Sequence, residues 1–326
     1  MILITGASGF IASALASHLS KSCSKGLILC DAFGSKEKWK NILGLNFQHL
    51  VDRNDLFEFL HSNPVSKNIE TVIHLGACAD TTEKNVDYLM ETNFRYSQRL
   101  CYWSLENRVK FIYASSAAVY GDGSLGFSDS DELTAELRPL NAYGFSKWLF
   151  DMYLINQKFT DLVTGLRFFN VFGPNEYHKG NMASVVFRAF PGLLKEGKIR
   201  LFESHRPDYA HGEQARDFIY IDEIIAIIDF LLANPGISGI FNAGTGKAHT
   251  FNQLAQGMFD ALDKPAKIEY FPMPEDIREK YQYHTCADMS SLMKKGYIIP
   301  EDNFANYVKK YVKDYLLNGL KYYSEI

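Results

Sequence analysis

The 326-residue sequence predicts an α/β fold: a doubly wound parallel sheet with a smaller α/β lobe interleaved with it. Three observations predict it. Short apolar runs alternate with stretches of helical spacing through the first half of the chain. A glycine-rich turn separates the first apolar run from the first helical stretch. After Pro174 the regular alternation gives way to a different pattern.

The elements follow in order. Ile2–Thr5 reads as a buried strand, and Phe10–Lys21 places Phe10, Ile11, Ala14, Leu15, His18 and Leu19 at helical spacing. Gly26–Cys30 reads as a second strand running to Asp31. Further strands are expected at Thr71–Leu75, Lys110–Ala114 and Leu162–Phe168, with helices near Tyr88–Asn107 and Tyr143–Gln157 between them. Beyond Pro174 the pattern gives a helix over Met182–Lys195, a polar segment Glu203–Ala215 and a strand–helix unit Arg216–Ala233. A strand at Gly239–Ala243, a helix at Phe251–Leu262 and an amphipathic tail helix at Asn303–Tyr323 complete the series. No internal repeat or low-complexity linker divides the chain.

The turn Gly6-Ala7-Ser8-Gly9-Phe10-Ile11-Ala12 has the spacing of a Rossmann dinucleotide loop. Gly6 makes the tight turn, Gly9 lets backbone approach a pyrophosphate at the helix N-terminus, and the small Ala12 suits helix–strand packing. Asp31 ends the next strand at about the distance where a carboxylate meets ribose hydroxyls. Asp31 alone favours NAD, whereas Lys38 and Arg53 are cations that could meet a 2′-phosphate. These residues leave both cofactors open.

Tyr143 and Lys147 stand at i and i+4, on one face of a helix, with Pro139 and Asn141 just before its start. A free tyrosine is ionised at about one part in a thousand at pH 7, and lowering its pKa by about three units asks for about 4 kcal/mol. A neighbouring ammonium and a positive nicotinamide would supply much of that, and the lysine could also hold a ribose. Ser115 and Ser116 follow the expected strand end at Ala114, where a hydroxyl would face a bound substrate.

Composition narrows the classes. A net charge of −4, with Asp and Glu outnumbering scattered Lys and Arg, is no nucleic-acid footprint. Cys23, Cys30, Cys78, Cys101 and Cys286 are odd in number, widely spaced and without a CxxC pair, which argues against a disulfide framework and a zinc site. No metal is expected. No apolar run approaches bilayer length and no basic n-region precedes the glycine turn, so a cytoplasmic protein with reduced thiols is expected.

Glycine loop, hydroxyl and Tyr–Lys pair together resemble the extended short-chain dehydrogenase/reductase family, an NAD-dependent epimerase/dehydratase group acting on nucleotide-sugars. The resemblance covers nearly the whole chain. It rests on His74-Leu75-Gly76-Ala77-Cys78-Ala79-Asp80-Thr81-Thr82-Glu83, on the run from Tyr113 to Gly121, and on Arg167-Phe168-Phe169-Asn170-Val171-Phe172-Gly173-Pro174. His178-Lys179-Gly180-Asn181-Met182-Ala183-Ser184, Arg216-Asp217-Phe218-Ile219-Tyr220 and Lys280-Tyr281-Gln282 resemble the branch whose members epimerise an ADP-heptose at C6. That resemblance implies redox-neutral chemistry with tightly held NADP, NAD remaining open, and a role in supplying heptose for a lipopolysaccharide core. A hydride leaves C6, the carbonyl intermediate reorients, and the hydride returns to the other face. Tyr143 would serve one epimer and Lys179 the other, Lys147 would assist, and Ser116 would polarise the sugar oxygen.

The resemblance also places Phe10, Ile11, Asp31, Ala32, Lys38, Arg53, Leu75, Gly76, Ala77, Cys78, Ala79 and Asn93 against the cofactor, beside Gly6, Gly9, Tyr143, Lys147 and Lys179. Asn170, Asn181, Arg188, Phe202, Glu203, Ser204, Arg216 and Tyr281 would line the ADP-heptose site. Arg216 suits a diphosphate because its fork binds oxygens bidentately, and a salt bridge to Asp217 or Asp222 is its structural alternative. Asn181, Arg188 and the longer loop Ser204–Gln214 depart from the branch's usual pattern on the substrate side. The dinucleotide domain is expected at 1–170 and 216–244, the substrate domain at 171–215 and 245–326, and the assembly as a homo-oligomer, a pentamer among the forms implied. A UDP-sugar 4-epimerase is the main rival. A dehydratase would need an acidic pair where Ala117 and Ala118 stand, and a non-enzymatic cofactor sensor would have no use for Ser116, Tyr143 and Lys147.

Overall fold

The computed structural model describes residues 1–22, 25–34, 36–278 and 281–325. Cys23 and Lys280, both noted in the sequence, lie outside the described residues; the other four cysteines are free thiols. In chain order the strands are β1 (Ile2–Thr5), β2 (Leu27–Asp31), β3 (His49–Asp52), β4 (Thr71–His74), β5 (Lys110–Ser116), β6 (Thr164–Phe168) and β7 (Asn170–Phe172). β8 (Ile199–Phe202), β9 (Ala215–Arg216), β10 (Phe218–Tyr220), β11 (Gly239–Ala243), β12 (His249–Thr250) and β13 (Ile268–Phe271) follow.

Seven strands form one parallel sheet in the order β11-β6-β5-β4-β1-β2-β3. Strand side chains alternate between the two faces, and both faces are buried, so each strand reads as an apolar run. Ile2 and Ile4, Leu27 and Leu29, and Ile112 enter one core layer. Leu3, Ile28 and Cys30, and Phe111 and Tyr113, enter the other. The helix Phe10–Ser22 packs beside the helix Ile221–Ala233 on the first of these layers. Chain order reverses between β1 and β4, and the crevice beyond their carboxyl ends is where such sheets take ligands.

Three small sheets flank the large one. β7 pairs with β10 and β8 with β13 in parallel, while β9 and β12 run antiparallel. The β9–β12 and β8–β13 pairs draw segments on either side of β11 together, which makes the second lobe interleaved.

Several elements differ from expectation, and β8 and β13 were not expected at all. β3 forms the sheet edge from His-Leu-Val-Asp, four residues too short and mixed to show a period. β5 runs on through Ser115 and Ser116, which pair with Arg167 and Phe168 instead of following the strand. The helix expected from Met182 begins at Val185, because the Ser184 hydroxyl caps the Phe187 amide at 3.3 Å and a separate turn, Tyr177–Met182, breaks at Gly180 with φ 57°. The tail helix, Phe304–Leu316, stops early: the Asn318 amide bonds the Lys313 and Asp314 carbonyls, and Gly319 adopts φ 84°.

Candidate active site

A cleft of about 1930 Å³ opens over the carboxyl ends of β1, β2, β4 and β5 and extends under the second lobe. Gly6 turns the chain out of β1 with φ 66°, and a Cβ there would lie 2.6 Å from the Gly76 Cα. The close approach of two loops therefore demands glycine as much as the turn does. Gly9, Phe10, Ile11 and Ala12 then present the start of the first helix to the cleft, where its leading N–H groups have no partner within the helix.

Asp31 lines the cleft with both carboxylate oxygens engaged. One accepts from the Ser8 amide at 2.8 Å and hydroxyl at 2.5 Å, the other from the Ala32 amide and the Lys38 ammonium, each at 2.7 Å. The ion pair with Lys38 offsets the negative charge that would otherwise meet a ribose substituent. Ala32, Lys38 and Arg53 share this wall, as do Leu75 through Ala79.

Asn93 does not line the cleft; it stands one layer behind, only 1 % exposed, and shapes the wall. Its carbonyl oxygen accepts from the Cys78 amide at 2.8 Å, and its amide nitrogen donates to the Cys78 carbonyl at 3.0 Å and to Ser146 Oγ at 2.9 Å. Ser146 Oγ in turn donates to the Tyr143 carbonyl. On the other side, His74 bridges Thr5 and Ser97 at 2.7 and 2.9 Å, and Ser97 donates to the Asn93 carbonyl. Because that bond uses the Ser97 proton, His74 donates from Nε2 and accepts from Thr5 at Nδ1. Burial pushes the His74 pKa down to about 3, with the Lys147 charge adding to it, so the ring is neutral. A continuous hydrogen-bonded chain thus joins the glycine turn to the helix carrying the Tyr–Lys pair.

That helix is Ala142–Asn156, capped by the Asn141 side chain, which accepts from the Gly144 amide at 2.8 Å. Tyr143 and Lys147 both reach the cleft, and so does Ser116, whose hydroxyl is close enough to act on that of Tyr143. Lys147 Nζ donates to the Ala114 carbonyl at 2.7 Å, and burial pushes the lysine down to about 8 while Asp151 pulls it back. Tyr143 departs from expectation. Burial raises its hydroxyl above the ordinary tyrosine range, the Ser116 bond opposes this, and Lys147 is not among the groups acting on it. The chain by itself does not acidify the tyrosine.

Lys179 sits in the broken turn Tyr177–Met182 with its ammonium 5.3 Å from the centre of the Phe10 ring. Burial lowers its pKa, and Glu176 opposes this.

On the substrate side Asn170, Asn181, Arg188, Phe202, Arg216 and Tyr281 all line the cleft. Glu203 and Ser204 do not. The Glu203 amide pairs with Phe271, and the Ser204 hydroxyl turns to the Arg206 carbonyl within its own loop. Arg216 is 8 % exposed and makes no ion pair among the described residues. Asp217 spends its carboxylate on Thr245, Gly246 and Ala287, and Asp222 pairs with Lys310, so neither forms the salt bridge that was the alternative for Arg216. Arg216 instead bonds the Ala215 and Gln282 carbonyls and lies 5.0 Å over the Tyr281 ring. A buried guanidinium without a carboxylate leaves its charge for a ligand. Sequence reasoning missed Glu176, Asp151 and Asn41, because the burial of a polar residue is set by distant segments and carries no periodic signal along the chain.

Small-ligand pockets usually hold about 300–1,000 Å³. This cleft is about twice that, and it joins a dinucleotide loop, a proton-handling Tyr–Lys–Ser group and an unpaired arginine. It belongs to the class of nicotinamide-dependent enzymes that work on a second large ligand, the short-chain dehydrogenase/reductase kind. Within that class the chain belongs to the NAD dependent epimerase/dehydratase family, matched over residues 2–244. It is 44% identical, over 97% of its own length and 98% of the relative's, to the ADP-L-glycero-D-manno-heptose-6-epimerase of Nitratidesulfovibrio vulgaris strain DP4. The solved ADP-L-glycero-D-manno-heptose-6-epimerase of Helicobacter pylori superposes with a TM-score of 0.78 at 28% identity, covering 96% of this chain and 95% of that one. UDP-N-acetylglucosamine 4-epimerase from Methanobrevibacter ruminantium M1 follows at 0.77 and 25%, covering 96% of each chain.

Proposed function

We propose that this chain is an isomerase that interconverts ADP-D-glycero- and ADP-L-glycero-D-manno-heptose by transient oxidation at C6. The observation that carries the reading is 44% identity along 97% of the chain to a relative of that name. The 4-epimerase likeness is weaker, at 25%.

The residues present fit a dinucleotide: the turn at Gly6 has no room for a Cβ, and the helix start faces the cleft. When bound, a nicotinamide dinucleotide supplies the hydride acceptor that becomes the donor on return. The chain handles the protons. Tyr143, beside Ser116, takes or gives the proton of the C6 oxygen in one epimer, and Lys179 does so in the other. Lys147 holds its ammonium at the end of β5, where a ribose hydroxyl can meet it. Arg216 takes the diphosphate, flanked by Phe202 and Tyr281. NADP is the cofactor of choice in this reading, supported by Lys38 and Arg53 beside a carboxylate that Lys38 already neutralises. Residues 1–170 and 216–244 form the dinucleotide domain, and 171–215 and 245–326 the substrate domain. A cytoplasmic homo-oligomer, a pentamer by resemblance, belongs to the same reading; among the described residues no helix is long and apolar enough to cross a membrane.

The test is incubation with ADP-D-glycero-D-manno-heptose, following C6 by NMR and identifying the nucleotide released on denaturation. Inversion at C6 with NADP released is expected. Turnover of a UDP-sugar at C4 without heptose inversion would overturn the assignment.

A further inference from the structure

We infer that Glu176 is the positioning residue for Lys179: it clasps both ends of the loop that carries the lysine and supplies the negative charge facing it. The inference rests on Lys179 being a proton-transfer group.

Glu176 is fully buried at 0 % exposure. Its carbonyl accepts the Lys179 amide at 2.9 Å, while its two carboxylate oxygens accept the Ser184 hydroxyl at 2.6 Å and amide at 2.5 Å. One residue therefore pins the loop at its start and at its end. Between these points Gly180 adopts φ 57°, so the loop has no helical regularity of its own to hold Lys179 in place. Ser184 also caps the following helix, which carries Arg188 of the substrate wall.

A buried carboxylate ordinarily has a cation against it. Among the described residues none lies within ion-pairing distance of Glu176, and Lys179 is the cation whose field it feels. The lysine in turn has no other carboxylate acting on it. Three neighbouring titratable groups are uncharged near neutrality, while Lys38 and Lys36 are cations that reach His178 from the segment packed on this turn. Burial pushes the hydroxyls of Tyr177 and of Tyr311 from the tail helix up, and pushes His178 down to about 4. Burial raises the Glu176 carboxyl, and the Ser184 hydroxyl and amide together with the Lys179 charge oppose this, so Glu176 and Lys179 act as a charge pair held apart by a loop. The carboxylate keeps the ammonium from losing its proton too readily, and the clasp keeps it over Phe10, the first residue of the dinucleotide-loop helix.

Glu176→Gln keeps the shape and one acceptor for Ser184 while removing the charge. The Lys179 side chain is followed by lysine-selective NMR in the resting protein, its signal assigned by loss in Lys179→Met, alongside pH–rate profiles. In Glu176→Gln the Lys179 titration is expected to fall by about one pH unit. The rate limb that Lys179→Met abolishes should move down with it, and kcat should drop about tenfold with KM little changed. An unmoved titration and a wild-type profile, even with a lower melting temperature, would reduce Glu176 to a structural role and overturn the inference. Wild-type turnover in Lys179→Met would instead overturn the proton-transfer reading beneath it. If Glu176→Gln does not fold, Glu176→Asp retains the charge on a shorter arm. Reduced kcat with a nearly unshifted Lys179 titration is then expected, and unchanged kcat would count against the clasp.

Discussion

Tyr143 shows how far a spacing rule reaches at the scale of one residue. The i, i+4 relation to Lys147 was legible because helix geometry alone brings such pairs to one face. The electrostatics were not, because desolvation depends on what folds over the hydroxyl. Burial makes Tyr143 a weaker acid than a free phenol, and Lys147 turns its ammonium to the Ala114 carbonyl. In the proposed reaction the tyrosine would give a proton more readily than take one. Tyr143→Phe is expected to lower kcat by about 10²–10⁴-fold, the usual contribution of a placed acid–base group. The bound nicotinamide, measured by its absorbance after gel filtration, should remain. Loss of the cofactor together with the rate would make Tyr143 a binding residue. Arg216 was singled out for its fork, but only the fold revealed that Asp217 and Asp222 are both committed elsewhere.

Among the elements, the long apolar strands and the capped helices could be read directly. β1 coincides with its expected span, and the helices after Asn141 and Gly9 begin within a residue of theirs. β3, β8 and β13 could not be read, since two- to four-residue periods are lost in short mixed runs. The helix Ile221–Ala233 gives an element-scale test. Its Glu223 carboxylate accepts the Tyr220 amide at 3.0 Å, and burial raises its pKa to about 7. A carboxyl whose pKa rises on folding binds more protons folded than unfolded between its two pKa values. Its contribution is therefore full below about 4.5, the unfolded value, and is lost as pH rises through about 7. Thermal denaturation should show stability falling over that window. Glu223→Gln, which keeps an acceptor for the Tyr220 amide, should flatten the fall; an unchanged slope would assign it to other groups.

Across the whole molecule, one buried network ties the sheet to its covering helices. Arg167 in β6 and Asp151 on the Tyr–Lys helix are both 0 % exposed and pair at 3.0 Å. Tyr113 and Ser115 in β5 complete the Asp151 carboxylate, and Arg167 also reaches the Tyr120 hydroxyl and Thr134. Removing one partner strands the other charge in the core, which costs about 3–5 kcal/mol. Arg167→Met is expected to lose stability of that order in denaturant titration; a loss below about 1 kcal/mol would mean that water enters and solvates Asp151. Asp151 is also the carboxylate that opposes the depression of Lys147, so the same network links stability to the site.

The sequence by itself determined the parallel α/β sheet, the dinucleotide turn, the Tyr143–Lys147 pair and the kinship that points to an ADP-heptose. These rest on local periodicity, on spacing along one helix and on contiguous motifs, all of which exist before the chain closes. Only the tertiary structure decided which charges are paired and which are left for ligands. Asp31 is neutralised by Lys38, Arg216 meets no carboxylate among the described residues, and Glu176 lies buried beneath the loop of Lys179. Burial and partnership are properties of segments distant in sequence brought together, and no spacing along the chain records them.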